Sequence, residues 1–181
     1  MKDLLLITPP FTQLNTPYPA TAYLKGFLNT KNISSYQIDL GIEVILEIFS
    51  KKGVTQIFNV KPENLSENTQ RIFALKEEYI KTIDEVIAFL QNKKPTLARQ
   101  ICSMNFLPEA SRFNQLDDME YAFGNMGLQD KAKHLATLYL EDLSDYIVEN
   151  IDENFGFSRY AERLGRSANS FDELYEKLLS D

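Results

Sequence analysis

The spacing of hydrophobic positions changes several times along this chain, and each change marks an element. Leu4-Leu5-Leu6-Ile7-Thr8 is apolar without alternation, the pattern of a strand covered on both faces, as in a parallel sheet. Ala20, Leu24, Phe27 and Leu28 then fall at i, i+4, i+7 and i+8, which is one face of a helix. Pro19 suits the start of that helix, because its missing N–H would be unpaired there anyway. The polar run Asn29 to Ser34 ends the helix. Ser35 to Leu40 alternates like a second strand, its pairing segment read as Tyr36 to Leu40. Strand, helix, strand in this order is a βαβ unit and predicts parallel strands. Gly41 to Lys52 reads as a second helix with Ile42, Ile45, Leu46 and Phe49 on one face, closed by Gly53 in the left-handed conformation. Val54 to Val60 is rich in strand-prone residues and stays open between strand and helix.

From Lys61 onward the pattern is helical. Asn64, with Glu67 three residues on, reads as a cap. Ile72, Leu75, Tyr79, Ile83, Val86 and Leu90 form one continuous stripe. Pro95 opens a short helix through Met104, and Pro108 opens another. Leu128, Ala132, Leu135, Tyr139, Leu143, Tyr146 and Ile147 form a second long stripe. Ser158 to Leu164 reads as a short helix stopped by Gly165. Ser170-Phe171-Asp172-Glu173 is a capping box for a last helix to about Ser180. The division expected is an α/β start over residues 1–60 and a helical region over 61–181, packed together as one unit.

Composition narrows the function classes. Of 181 residues, 44% are hydrophobic and 12% aromatic, enough to bury a core and too many for a disordered chain. The net charge of −7 makes the chain a poor counterion for phosphate backbones, so no nucleic-acid partner is expected. The acidity belongs to the helical part. Residues 1–60 carry five basic and four acidic groups, against fourteen and twenty-two in the rest. One cysteine, Cys102, cannot form an internal disulfide, a multi-cysteine zinc site or an iron–sulfur cluster. No stretch approaches the roughly 20 apolar residues of a membrane helix, and Leu4 to Ile7 is too short for the apolar part of a signal peptide. A cytoplasmic protein without a membrane partner is the expectation.

The loop from Thr8 to Pro19 follows the first strand, and in open parallel sheets ligands bind beyond the carboxyl ends of the strands. The loop holds Pro9, Pro10, Pro17 and Pro19 and no glycine. Phosphate sites need glycines, so that backbone N–H groups can approach the ligand. This argues against a nucleotide and favours a large flat one; an ordinary proline-rich connection is the plain alternative. Elsewhere the chemistry is thin. His134 is the only histidine and reads as a helix residue. Cys102 reads as an inert buried thiol. Asp117, Asp118 and Glu120 read as a helix-start arrangement. Glu141, Asp142, Asp145, Glu149, Asp152 and Glu153 read as a solvated helix face. Ser144, Ser158 and Ser167 lack a nucleophile context. No catalytic residue is assigned.

The opening also resembles a known family. Leu6-Ile7-Thr8-Pro9-Pro10, then Tyr18-Pro19-Ala20-Thr21-Ala22-Tyr23-Leu24-Lys25-Gly26-Phe27-Leu28, then Gln37-Ile38-Asp39-Leu40 is similar to the start of the cobalamin-binding domain in cobalamin-dependent radical SAM proteins. Leu107-Pro108-Glu109-Ala110-Ser111-Arg112-Phe113 also resembles a segment of such proteins. About a fifth of the chain carries the resemblance well. It implies a Rossmann-like βαβα fold in which Thr8, Pro9, Pro10, Phe11, Gln13, Leu14, Thr16 and Tyr18 lie against a corrin ring. The Asp-x-His-x-x-Gly cobalt-ligand motif, the Cys-x-x-x-Cys-x-x-Cys cluster motif and the later strands of that domain are missing here. The resemblance therefore implies the N-terminal piece of a longer Fe–S oxidoreductase or methyltransferase with a helical insertion. S-adenosylmethionine and the [4Fe–4S] cluster would belong to the remainder of the parent enzyme, which is the implied partner. A helical interaction module on a βαβ scaffold, with no cofactor, is the competing expectation. Two strands alone are not a stable sheet, so self-association to a homodimer is also expected.

Overall fold

The computed structural model describes residues 4–10, 19–60, 62, 65–103, 105–115, 127–158 and 170–179. Strand β1 (Leu4–Thr8) and strand β2 (Ser35–Asp39) are joined through helix α1 (Ala20–Thr30) and pair in parallel, Leu4 beside Ser35 through Thr8 beside Asp39. This is the βαβ start that the periodicity predicts, with β2 placed one residue earlier. Two residues past the end of α1, Asn32 takes φ 57°. The turn there returns the Asn32 N–H to the Asn29 carbonyl and the Ile33 N–H to the Leu28 carbonyl. Asparagine tolerates this left-handed conformation better than other residues with a side chain.

The sheet departs from expectation in its cover. Leu4, Leu5 and Ile7 are each more than 40% exposed, although a strand of this composition normally has both faces buried. A parallel sheet needs helices on both faces. Among the described residues only two strands form it.

Helix α2 (Leu40–Ile48) starts directly after β2, and α3 (Lys51–Asn59) follows it. The single helix expected over 41–52 is therefore two. Ser50 breaks it: its backbone is extended, and its side chain accepts a hydrogen bond from the Gly53 N–H at 3.0 Å, capping α3. Gly53 does not close α2. It lies buried in the first turn of α3, and residues 54–59 are helical. The segment left open between strand and helix is thus helix up to Asn59, with Val54, Ile57 and Phe58 on one helical face and all buried.

The remaining helices are α4 (Glu67–Ala74), α5 (Lys76–Leu90), a 3₁₀ turn at Pro95–Leu97, α6 (Ala98–Ile101), a second 3₁₀ turn at Ser111–Gln115, α7 (Leu128–Asn150) and α8 (Phe171–Leu179). Ser66 caps α4, accepting from the Thr69 N–H at 3.3 Å; Asn64, expected as the cap, lies outside the described residues. Glu149 in turn accepts from the backbone N–H and hydroxyl of Ser66, which holds its carboxyl below the usual range despite some burial. The stripe expected over 72–90 bends once, at Leu75, between α4 and α5. The Ser170 cap is as expected: its Oγ accepts from the Glu173 N–H at 3.2 Å. The helix expected at Ser158–Leu164 lies outside the described residues from 159 on.

Contacts divide the chain into two compact units, one holding the described residues of 1–46 and 154–181, the other 47–153. The fold is helix-dominated, with the small parallel sheet in the first unit. The second unit has its own core. Phe49, Val54, Ile72, Tyr79, Ile83, Val86, Leu135, Tyr139, Leu143 and Tyr146 are each fully buried there. Phe58, Phe73 and Tyr146 form one aromatic cluster, with Phe58 and Tyr146 centroids 5.0 Å apart and Phe73 stacked on Tyr146 at 6.3 Å.

The Tyr146 hydroxyl is buried without a hydrogen-bond partner among the described residues. An unmade buried hydrogen bond costs about 1–3 kcal/mol. Tyr146→Phe keeps the ring and removes the orphan. The variant is expected to match or exceed the wild type by up to about 1 kcal/mol. A urea midpoint that falls below wild type would show that the hydroxyl has a partner after all.

Candidate functional site

Two places combine chemistry with position. The first is the carboxyl end of the parallel pair. Thr8, the last residue of β1, is 1% exposed and lies beside Asp39, the last of β2. Asp39 accepts a hydrogen bond from the Ile42 N–H at 3.2 Å, so its carboxylate satisfies the opening turn of α2. Gln37 in β2 donates from Nε2 to Thr21 Oγ1 of α1 at 2.9 Å, fixing helix to strand just behind this end. Pro9 is exposed and Pro10 half-buried as the chain leaves β1. The remaining residues singled out in the loop, Phe11, Gln13, Leu14, Thr16 and Tyr18, lie outside the described residues.

Two consecutive prolines offer no N–H, so this exit cannot cradle a phosphate as a glycine-rich turn does. At this exit the Pro9 and Pro10 rings stand next to the buried Thr8. The βαβ segment itself carries no imidazole, since the chain's only histidine, His134, lies half-buried on α7.

The second place was not legible as a site. Asp142 stands in the middle of α7 and is fully buried. Its Oδ2 accepts from the Tyr79 hydroxyl and from the Ala110 N–H, and its Oδ1 from the Arg112 N–H, each at 3.2 Å. The carboxyl is thus not part of a solvated face, as its acidic neighbours suggested. It ties α5 and the segment 110–112 to α7. Periodicity held the signal: Asp142 follows Leu135 by seven and Tyr139 by three, on the buried stripe. Burial pushes its pKa up to about 6, against the lowering effect of its hydrogen bonds.

Tyr139 extends the network, donating to the Tyr79 carbonyl at 3.0 Å and lying 3.0 Å from Thr82 Oγ1. Burial also raises the Tyr79 and Tyr139 phenols, so both stay neutral. On the surface beside them, Arg112 forks onto Asp145 at 2.7 and 2.8 Å, with Glu141 at 3.8 Å. The Ser111 N–H donates to Asn68 Oδ1 at 3.2 Å. Leu107, Pro108, Ala110 and Phe113 are buried, so the segment 107–113 is a docked connection between helices. A carboxyl with no exposed surface cannot reach a substrate, and the chemistry of this cluster is tethering.

Cys102 is half-buried, donates from Sγ to the Leu128 carbonyl at 3.6 Å, and has its thiol pKa raised by burial. A shallow cleft lies at the start of α3, between Lys51, Lys52, Thr55 and Asp84. The Asp84 carboxylate already takes the Lys51 N–H there at 2.8 Å, so the helix terminus is satisfied from within the chain. Asp117, Asp118 and Glu120 lie outside the described residues. Among the described residues no group of three or more His, Cys, Asp or Glu side chains could hold a metal ion, and no helix is long and apolar enough to cross a membrane.

No protein-family model, curated protein or solved structure matches this chain.

Proposed function

We propose that this chain is the N-terminal, cobalamin-binding-type part of a radical SAM iron–sulfur oxidoreductase or methyltransferase-class enzyme, cytoplasmic and not catalytic by itself. The observation that carries this reading is the parallel pair with the Thr8-Pro9-Pro10 exit beside Asp39 at its carboxyl end. That end is where open parallel sheets bind ligands, and a glycine-free exit favours a flat apolar ligand over a phosphate. The exposed Leu4, Leu5 and Ile7 also support it. A strand of this composition is made for burial on both faces, which later strands and helices of a parent enzyme would supply. The corrin would lie against the loop from Thr8 to Tyr18. S-adenosylmethionine and the cluster would be held by the remainder of the parent.

Hydroxocobalamin titrated into the chain, followed by its visible absorbance, is expected to show weak saturable binding, because half of the usual cradle is absent. Replacing Gln13 and Thr16 together with arginine is expected to weaken that binding at least about tenfold, or about 1.4 kcal/mol, while the urea midpoint stays unchanged. Equal binding by the variant would move the ligand to another surface. No binding by either the chain or a longer parent would sink the reading.

A second reading is favoured by a separate observation. The helical unit 47–153 closes its own core, whereas the βαβ unit leaves large apolar side chains exposed. That arrangement also suits a protein-interaction module with a βαβ scaffold and no cofactor.

A further inference from the structure

Within the βαβ unit, two helices show solvent an apolar stripe that nothing among the described residues covers. On α1, Tyr23, Leu24 and Phe27 are 79%, 50% and 58% exposed. On α8, which belongs to the same compact unit, Phe171, Tyr175 and Leu179 are 77%, 54% and 63% exposed. Their spacing of i, i+4 and i+8 is one helical face, and Phe171 stacks on Tyr175 at 6.3 Å. These stripes do not cover each other within one copy, since both remain open.

Charge distinguishes the two stripes. Residues 20–38, which carry α1, hold Lys25 and Lys31 and no acid. Lys31 sits at the end of the α1 stripe, its ammonium 5.6 Å from the Phe27 ring centroid. The α8 stripe is flanked by Asp172 and Glu176, one residue beyond Phe171 and Tyr175. A basic-ended apolar stripe and an acid-flanked one are complementary.

We infer that a second copy of this chain covers these faces, α1 of one copy packing antiparallel on α8 of the other, and reciprocally. In that register Phe27 lies against Phe171 and Tyr175, Tyr23 and Leu24 against Leu179, and Lys31 beside Asp172. The parallel register would carry Lys31 to the far end of α8, away from Asp172. Reciprocal contacts close a two-fold dimer, the commonest oligomer symmetry. At roughly 150–250 Å² per aromatic side chain, the four exposed rings present on the order of 500 Å² per copy. The leucines and polar flanks bring this toward the roughly 800 Å² per partner of a stable interface. The inference uses the outer faces of two helices and does not depend on what binds at the sheet end.

Sedimentation velocity over a hundredfold concentration range tests it. The wild type is expected to be dimeric at the upper end. Phe27→Glu and Phe171→Glu are each expected to be monomeric throughout, with unchanged circular dichroism because both side chains are exposed. Lys31→Glu and Asp172→Lys are each expected to raise the dimer dissociation constant about tenfold, and the two together to restore it, since opposite charges again face one another. A wild type that stays monomeric overturns the inference. So does a dimer that survives both glutamate variants, or a charge double variant weaker than either single one.

Discussion

Asp142→Ala is expected to lower the stability of the helical unit by about 3–5 kcal/mol, the cost of breaking a buried hydrogen-bonded network. The carboxylate is fully buried and is the acceptor for the Tyr79 hydroxyl and for the Ala110 and Arg112 N–H groups. Alanine leaves those donors buried without an acceptor and opens a small cavity. A domain of this size is stable by only about 5–15 kcal/mol, so the loss takes up a large part of the total. The connection around Ala110 should open before the rest of the unit, because the surface Arg112–Asp145 pair is too weak to hold it alone. Hydrogen exchange would then show Ala110 and Arg112 amides losing protection ahead of the α5 core. Retained protection at both amides would show that the bracket is not what docks this segment.

The same carboxyl sets a pH dependence of definite sign. Its folded pKa is about 6, raised by burial from the ordinary aspartate value of 3.8. The folded state therefore holds this proton more tightly than the unfolded chain. The stabilisation is complete below about pH 4 and is lost as the pH rises through 6, to the extent of about 2–3 kcal/mol. Asp142→Asn removes this titration. The cost of that substitution is accordingly expected to be larger at pH 4 than at pH 7, by the same amount. Urea unfolding of both proteins at the two pH values measures it, and a cost that is larger at pH 7 would mean that the three hydrogen bonds outweigh burial.

Gly53→Ala is expected to destabilise by about 3 kcal/mol, at the upper end of what forcing an extra methyl into a filled site costs. In an open helix the same change stabilises by about 0.5–1 kcal/mol, because alanine loses less backbone freedom. Here a Cβ would meet the carbonyl oxygens of Glu47 and Ile48 at the end of α2, far inside van der Waals contact. Both obstacles are backbone, so the start of α3 would have to move and break the Ser50 cap. Gly26 is the internal control. It lies in α1, and a Cβ there would have no atom within 4 Å, so Gly26→Ala is expected to stabilise. Chemical denaturation of the pair reads opposite signs for one substitution. A stabilising Gly53→Ala would show that the α2–α3 junction yields easily.

Local pattern alone determined much of this fold. The order β1, α1, β2, the parallel pairing, the long helices α5 and α7 and the Ser170 cap all follow from interactions between near neighbours: period, capping and turn residues. The strand-prone composition of 54–60 did not decide its state, because burial of Val54, Ile57 and Phe58 on one helical face outweighs intrinsic preference. The role of Gly53 was likewise hidden. A glycine after a helical run predicts a left-handed cap, and only the approach of two carbonyls from α2 shows that it is a close-contact glycine. Asp142 is the sharpest case. In sequence it stands among Glu141 and Asp145 as one more surface acid. Its burial depends on Tyr79, Ala110 and Arg112, which lie 63, 32 and 30 residues away, and partners at such separations leave no local trace. The exposure of Leu5 and Ile7 was equally out of reach, since whether a strand face is covered depends on how many layers the chain supplies, which is a property of the tertiary structure.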